Sequence, residues 1–162
     1  MICSLGSYIT VRSNIGQLGD QVTLFSPTKT FDKGTRLKFS YHMLISDEDT
    51  TAALTVHTYS ASHVYGESLL EIRGNQGSGW QTTFVCLPKG TYQLAFVATH
   101  GLQFLSDIAL NRIELHNDDN CISPIVTGKQ YWSSKKQNPY SFFLSTHRQN
   151  SYIFIAEFVL GI

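Results

Sequence analysis

The chain has 162 residues, a length that suits one domain with a sizeable core plus a tail better than two domains. Twelve basic and twelve acidic residues give a formal net charge of zero, and only 15% of the residues are charged. This excludes a long-range field that would attract nucleic acid or an anionic membrane surface. Ten Phe, eight Tyr and two Trp, with four Pro, favour a β-rich globule over a disordered chain.

The first half of the chain predicts a series of strands separated by turn residues. The clearest strand is 36–43, where every second side chain is large and apolar and those between are polar, the pattern of a sheet with one face on a core. Its apolar side chains are Leu37, Phe39, Tyr41 and Met43. The other strand candidates in this half are residues 7–12, 21–25, 52–59 and 69–72.

The second half predicts a hairpin followed by one more strand. Residues 80–87 and 92–99 both alternate at period two, and Pro88 and Gly90 between them allow the chain to reverse. Residues 107–115 form the last strand candidate. About eight strands at regular spacing predict an all-β, antiparallel sandwich or barrel. The side chains expected inside are Leu37, Phe39, Phe84, Leu94, Phe96 and Ile108, with Cys86 on the same face as Trp80 and Phe84.

Residues 122–162 form a tail of different character that matches no module. Its segment 152–160 (YIFIAEFVL) is aromatic and β-branched with one charge, and it is shorter than the ~18 apolar residues of a membrane span. We therefore expect no direct membrane insertion, and the start of the chain shows no signal-peptide pattern. The tail is expected to be poorly ordered or to dock through 152–160 on an edge of the sandwich.

An ordered succession of segments resembles a known extracellular module. The segments are GSYITVRS, VTLFSP, RLKFSYHM, AALTVHTY, LLEIRGNQGSGW and SDIALNRIEL. Together they resemble the MAM domain shared by meprins, mu-type receptor tyrosine phosphatases and neuropilins. The resemblance implies a jelly-roll β-sandwich that mediates adhesion or oligomerisation, binds a protein partner that can be a second copy, and catalyses nothing. It also implies an extracellular or membrane-associated protein, such as one with several MAM and low-density-lipoprotein-receptor class A modules.

The same resemblance implies a domain division and a cysteine pattern. Residues 1–121 correspond to a partial MAM domain, incomplete at its N-terminus, and 122–162 to an unassigned tail. Three cysteines are present, Cys3, Cys86 and Cys121, and an odd number leaves at least one unpaired within the chain. In the family, the cysteine matching Cys121 pairs with a cysteine at the position where this chain has Arg36. We therefore expect no intrachain disulfide and three thiols.

Acidic residues in two segments are candidates for a cation site. Asp47, Glu48 and Asp49 lie in one turn, and Asp107 matches the first acidic residue of a family segment that binds a cation in some members. Loop carboxylates are ligands that Ca²⁺ prefers. Because the next two acidic positions read Asn111 and Arg112, the resemblance implies an incomplete Ca²⁺ site. The alternative is a solvated acidic turn, and no other cofactor is expected.

The remaining candidates favour binding over catalysis. No histidine pair has metal-ligand spacing, although His42 and His57 would meet if their strands were neighbours. A Cys86 thiol facing the core would be inert as a nucleophile, and the glycine-rich stretch 74–79 lacks the residues of a phosphate loop. Two alternatives to a protein-interaction module stay open: a fragment of a longer gene product without function of its own, and glycan binding. The stacking platforms for a glycan would be Tyr41, Tyr59, Trp80 and Tyr92, if they face solvent.

Overall fold

The computed structural model describes residues 8–122 except 12–16, 46–48, 50, 63 and 103–106. In these ranges the chain forms strands and no helix. The nine strands are β1 (Ile9–Val11), β2 (Gln21–Phe25), β3 (Lys29–Phe31), β4 (Thr35–Leu44), β5 (Ala53–Tyr59), β6 (Tyr65–Arg73), β7 (Gln81–Leu87), β8 (Gly90–Thr99) and β9 (Asp107–Asn117).

The strands form two antiparallel sheets. The first sheet has the order β1-β9-β4-β7, and the second has the order β2-β8-β5-β6, with β3 also paired to β8. This arrangement confirms the predicted all-β antiparallel sandwich. Each predicted strand has a counterpart, and the sequence prediction missed only the short β3, which pairs with the start of β8.

The core fills the space between the two sheets. Leu37, Phe39 and Met43 of β4 are fully buried, and the ring of Phe39 meets that of Phe96 from the facing sheet edge to face at 5.3 Å. Each large apolar side chain buried in this way contributes about 1.5–3 kcal/mol. Five of the six side chains expected inside are buried, namely Leu37, Phe39, Leu94, Phe96 and Ile108.

The sixth expectation, Phe84, is wrong, because β7 turns its other face to the core. Val85 pairs with Leu37 across the ladder to β4, and directly paired residues share a face, so Val85 points inward with Leu37. Phe84 therefore lies on the outer face, where the guanidinium of Arg36 sits 4.6 Å above its ring. Both alternating sets of β7 contain apolar residues, so period-two patterning could not select between them.

The expectation of no intrachain disulfide is also wrong. Cys86 and Cys121 are bonded, with their Cα atoms 5.7 Å apart. Cys86 pairs with Arg36 across the ladder and shares its outer face, so it replaces the cysteine that the family places at the Arg36 position. Cys3 lies outside the described residues.

The segment that carries Cys121 reaches this face by crossing close to the start of β4. The amide of Asp118 donates to the carbonyl of Gly34 at 2.8 Å, and a Cβ at Gly34 would lie 2.5 Å from the Asp118 carbonyl oxygen. Arg36 forms an ion pair with Asp118 on the same side. The glycine therefore permits the crossing that delivers Cys121 to Cys86.

A β-bulge divides β9 into two halves. The register with β4 shifts between Lys38 and Ser40, and on the β9 side Arg112 adopts φ 50°, a left-handed conformation that few non-glycine residues take. Before the bulge the inward side chains are at even positions, Ile108 and Leu110. After it they are at odd positions, Ile113 and Leu115, which are only partly buried.

Tyr92 anchors the turn between β7 and β8. Its ring is buried against Phe31 at 4.9 Å, and its hydroxyl donates to the Pro88 carbonyl at 2.6 Å. Burial raises the pKa of Tyr92 to about 12, so the hydroxyl stays protonated and keeps donating well above neutral pH. We expect Tyr92→Phe to lower the free energy of unfolding by about 1 kcal/mol through loss of this hydrogen bond, measured by urea denaturation. An unchanged urea midpoint would contradict this role.

Candidate functional site

Asp49, predicted as a cation ligand, joins two loops at one end of the sandwich. Its side chain is 1% exposed. Its Oδ1 accepts hydrogen bonds from the Thr51 amide at 2.9 Å, the Thr51 hydroxyl at 2.6 Å and the Ala52 amide at 3.3 Å. Its Oδ2 accepts one from the Leu102 amide at 2.7 Å. A Cβ at Gly101 would overlap this carboxylate, so the glycine lets the second loop approach.

These hydrogen bonds decide the charge state of Asp49. Burial by itself raises the pKa of the carboxyl, because it penalises the charged form. The hydrogen bonds from Thr51, Leu102 and Ala52 favour the carboxylate, and together they hold the pKa of Asp49 below the usual range of an aspartate. Asp49 is thus ionised, and its carboxylate accepts hydrogen bonds from backbone amides of both loops.

The described residues place no metal-holding cluster around Asp49. Asp107 is exposed at the start of β9, and Asp47 and Glu48 lie outside the described residues. In the described ranges no group of three or more His, Cys, Asp or Glu side chains is placed to hold a metal ion. The Ca²⁺ site at Asp47, Asp49 and Asp107 stays a prediction, to be checked by comparing melting temperatures in CaCl₂ and in EDTA.

The four aromatic residues predicted as stacking platforms have different environments. Tyr41 and Tyr92 are buried in the core, and Tyr59 is half-buried on the outer face of the second sheet. Trp80 alone of the four is well exposed, at 46%. It precedes β7, whose first residue pairs with Tyr41, so Trp80 lies beside His42 on the outer face of the first sheet.

Trp80 is the centre of an exposed patch, which we define as Tyr8, His42, Leu44 and Trp80. The Trp80 ring lies 5.9 Å from Tyr8 at an interplanar angle of 67° and 5.8 Å from His42 at 54°. A ring nitrogen of His42, Nε2, lies 3.2 Å from the Ser78 carbonyl oxygen, which orients the imidazole. Tyr8 is 59% exposed and Leu44 is 47% exposed. The Trp80 patch combines two large aromatic side chains with an aliphatic one in contact with water.

A second aromatic group covers the outer face of the other sheet. It consists of Phe25, His57, Tyr59 and Tyr65, with Tyr59 4.7 Å from Phe25 and 5.1 Å from Tyr65 between ring centres. Beneath it Ala95, which pairs with both Phe25 and His57, is fully buried although it faces outward. Phe25 and His57 therefore close off part of this face. Because His57 belongs to this sheet and His42 to the other, these two histidines are not cross-strand neighbours.

Sequence reasoning identified Trp80 but missed its neighbours. Tyr8 reaches Trp80 only because β1 pairs at the edge of β9, a pairing between residues about a hundred positions apart. His42 alternates with the core residues of β4, so its outward direction was readable, but its contact with Trp80 depends on the pairing of β4 with β7.

The glycine-rich stretch 74–79 is a strand connection, as expected, whereas Cys86 is not the core-facing thiol that the sequence predicted. The stretch 74–79 links β6 to β7, and Gly74 and Gly77 adopt φ values of 66° and 87° that turn the chain there. Cys86 is held in the disulfide, so it offers no thiolate.

Comparison with protein families accounts for this architecture. The family model described as "MAM domain, meprin/A5/mu" matches residues 3–122. The chain belongs to the MAM family. MAM domains are generally non-catalytic adhesion modules of extracellular or membrane proteins. The described part of this MAM chain contains no helix with the length and apolar character needed to cross a membrane.

Solved structures with a similar fold include bacterial adhesin domains. The K1 cleaved adhesin domain of Lys-gingipain from Porphyromonas gingivalis W83 is 22% identical with a TM-score of 0.52, over 68% of the MAM chain and 74% of the adhesin domain. The K3 domain of the same protein is 19% identical with a TM-score of 0.45, over 57% of the MAM chain. The match covers 62% of the K3 domain, less than two thirds of its length. At these identities the likeness concerns the fold alone.

Proposed function

We propose that this MAM domain is a non-catalytic interaction module of a larger extracellular or membrane protein, and that it binds a second copy of itself through the Trp80 patch. Tryptophan and tyrosine are the side chains most enriched among residues that carry binding energy at protein interfaces. The patch exposes one of each, with ring centres 5.9 Å apart, next to the first residues of β1 and β7. Binding there would remove apolar ring surface from water without a large loss of side-chain entropy.

The arrangement of the aromatic rings is the observation that carries this proposal over glycan binding. A sugar-binding platform of several residues needs coplanar exposed rings. Among the four proposed platforms Tyr41 and Tyr92 are buried, and the rings that meet Trp80 are inclined to it by 67° and 54°. An inclined aromatic group offers the irregular surface that a protein partner complements.

Two further features support an extracellular setting and an absence of catalysis. The Cys86–Cys121 disulfide is the kind of bond that persists in oxidising compartments. It also makes the Cys86 sulfur unavailable as a nucleophile. The zero net charge argues against nucleic acid as the partner.

The experiment is a comparison of Trp80→Ala with Tyr65→Ala in a self-association assay. Both aromatic side chains are 46% exposed, and they lie on opposite sheets, so Tyr65→Ala is a matched control. Truncation of a central interface residue commonly removes 2 kcal/mol or more, which corresponds to a roughly thirtyfold weaker dimer. We expect this weakening for Trp80→Ala and less than about a threefold change for Tyr65→Ala, measured by sedimentation velocity and by aggregation of domain-coated beads.

Three results would overturn the proposal. One is that the parent domain stays monomeric in sedimentation velocity and that beads coated with it stay dispersed. Another is weakening by Tyr65→Ala but not by Trp80→Ala, which would move the interface to the other sheet. The third is binding to immobilised glycans that Trp80→Ala abolishes, which would assign the patch to carbohydrate.

A further inference from the structure

Among the described residues, the second half of β9 is paired on one side only, which leaves an open edge on the other. On one side β9 pairs with β4 as far as Asn117, while on the other side β1 pairs only with Ile108, Ala109 and Leu110. From Asn111 to Asn117 no strand among the described residues lies on that side. The backbone groups of such an edge are a template for one more strand.

An apolar cavity lies beside this open edge. It has a volume of about 170 Å³ and lies between the second half of β9 and the connection from β2 to β3 on the facing sheet. The apolar side chains that line it are Phe31, Leu37, Leu94, Phe96, Ile113 and Leu115. A cavity of about 150 Å³ lined by Leu, Ile and Phe holds benzene, so this one has room for an aromatic ring.

Because of the bulge at Arg112, side chains of the open-edge half of β9 line the cavity. It redirects Ile113 and Leu115 inward, and these two side chains are partly buried although they face the core side. A strand added along this half of β9 would place every second side chain over the cavity, because paired strands share their inward face. The occupant must therefore be an extended segment with aromatic or aliphatic residues at alternate positions.

The chain itself contains such a segment in residues 152–160. Tyr152, Phe154, Phe158 and Leu160 alternate on one face with Ala156 between them, and the segment carries a single charge, Glu157. By contrast, residues 2–7, which precede β1, contain only two large aliphatic side chains, Ile2 and Leu5. The composition of 152–160 is what the cavity requires.

The length of the intervening chain allows the segment to reach the edge. Residues 123–151 separate the segment from Ile122, the last described residue, which follows β9 by five positions. A random-coil chain of that many residues has a root-mean-square span of roughly 30 Å, comparable with the length of a long strand. Attachment at this end of β9 gives the segment an effective concentration on the order of millimolar.

We propose that residues 152–160 add to the open edge of β9 as a further strand of the first sheet, with an aromatic side chain of the Phe154 face in the cavity. The backbone of the segment pairs with β9 along 111–117, and its apolar face covers the cavity between the sheets. The C-terminal segment thus completes the sandwich in cis. This inference does not depend on the Trp80 patch, which lies around the first half of β9 and the start of β7.

Photo-cross-linking of the full chain tests the placement. With p-benzoylphenylalanine in place of Phe158, we expect cross-links within the monomer to peptides that contain Ile113, Leu115 or Phe31, identified by mass spectrometry. The matched control carries the same group in place of Ile153, on the opposite face of the segment, and should give at least tenfold fewer cross-links to these peptides. Cross-links found only in a covalent dimer would assign the strand to a second copy and overturn the placement in cis.

Hydrogen exchange provides an independent measurement. We expect Phe154→Asp with Phe158→Asp to accelerate amide exchange at least tenfold in residues 112–116, while Ile153→Asp leaves it within about threefold. None of these substitutions changes a residue of β1 to β9, and an intact Cys86–Cys121 bond reports that the domain has folded. Equal exchange in the double variant and the parent chain would overturn the proposal, as would cross-links to peptides away from β9 and the β2–β3 connection.

Discussion

Replacing both bonded cysteines, Cys86→Ser with Cys121→Ser, is expected to lower the free energy of unfolding by about 4 kcal/mol. The bridge closes a loop with a sequence separation of 35, and the loss of chain entropy in the unfolded state scales with the logarithm of that length. The bridge also ties the end of β9 to β7 across the start of β4. The double variant is preferable to a single one, because a lone thiol could pair with Cys3.

Urea denaturation with and without reductant measures this effect. Reduction of the parent chain should reproduce the loss seen in the double variant, and Cys3→Ser should change the unfolding free energy by less than about 0.5 kcal/mol. Thiol titration of the denatured, non-reduced parent chain should find one free thiol. Three free thiols, or equal stability of the double variant and the parent chain, would show that the bridge does not form.

Asp49→Ala is expected to lower the free energy of unfolding by about 3–4 kcal/mol. The substitution removes the acceptor for the amides of Thr51, Ala52 and Leu102, and a buried donor without a partner costs about 1–3 kcal/mol. Asp49→Asn should lower the free energy of unfolding by less, because the amide oxygen can still accept hydrogen bonds from Thr51. A loss remains, because the NH₂ group would face the Leu102 amide, which is also a donor. Asp32→Ala, at an exposed aspartate, is the control and should change stability by less than about 0.5 kcal/mol.

The contribution of Asp49 should also depend on pH with a defined sign. The folded state holds the pKa of Asp49 below that of the unfolded chain, so the ionised carboxylate stabilises the fold at pH values above about 4. As the pH falls through the folded-state pKa, the carboxylate is protonated and that stabilisation is lost. The stability difference between the parent chain and Asp49→Asn should therefore shrink below about pH 4 in urea titrations. A difference that is constant from neutral pH to pH 2.5 would contradict the ionised anchor.

The same residue shows why the acidic turn was hard to interpret from sequence. Three acidic residues in a row, 47–49, predict either a cation site or a solvated turn, because the sequence does not show which carboxylate points inward. In the structure Asp49 is buried through contact with Leu102, some fifty positions later in the chain. That contact depends on the packing of two loops at one end of the sandwich.

What the sequence by itself determined is the sandwich and the inward face of its most regular strands. In β4 and β8 the largest apolar side chains fall on one alternating set, and since only one face can meet the core, the pattern specifies both strand and face. Only the tertiary structure decided the face of β7, the partner of Cys121, the burial of Asp49 and the exposure of Trp80. In β7 both alternating sets contain apolar residues, so the pairing of Val85 with Leu37 selects the face and thereby brings Cys86 to the outer surface beside Arg36. The other outcomes depend on which distant segment lies alongside, and long-range pairing leaves no periodic signal in the local sequence.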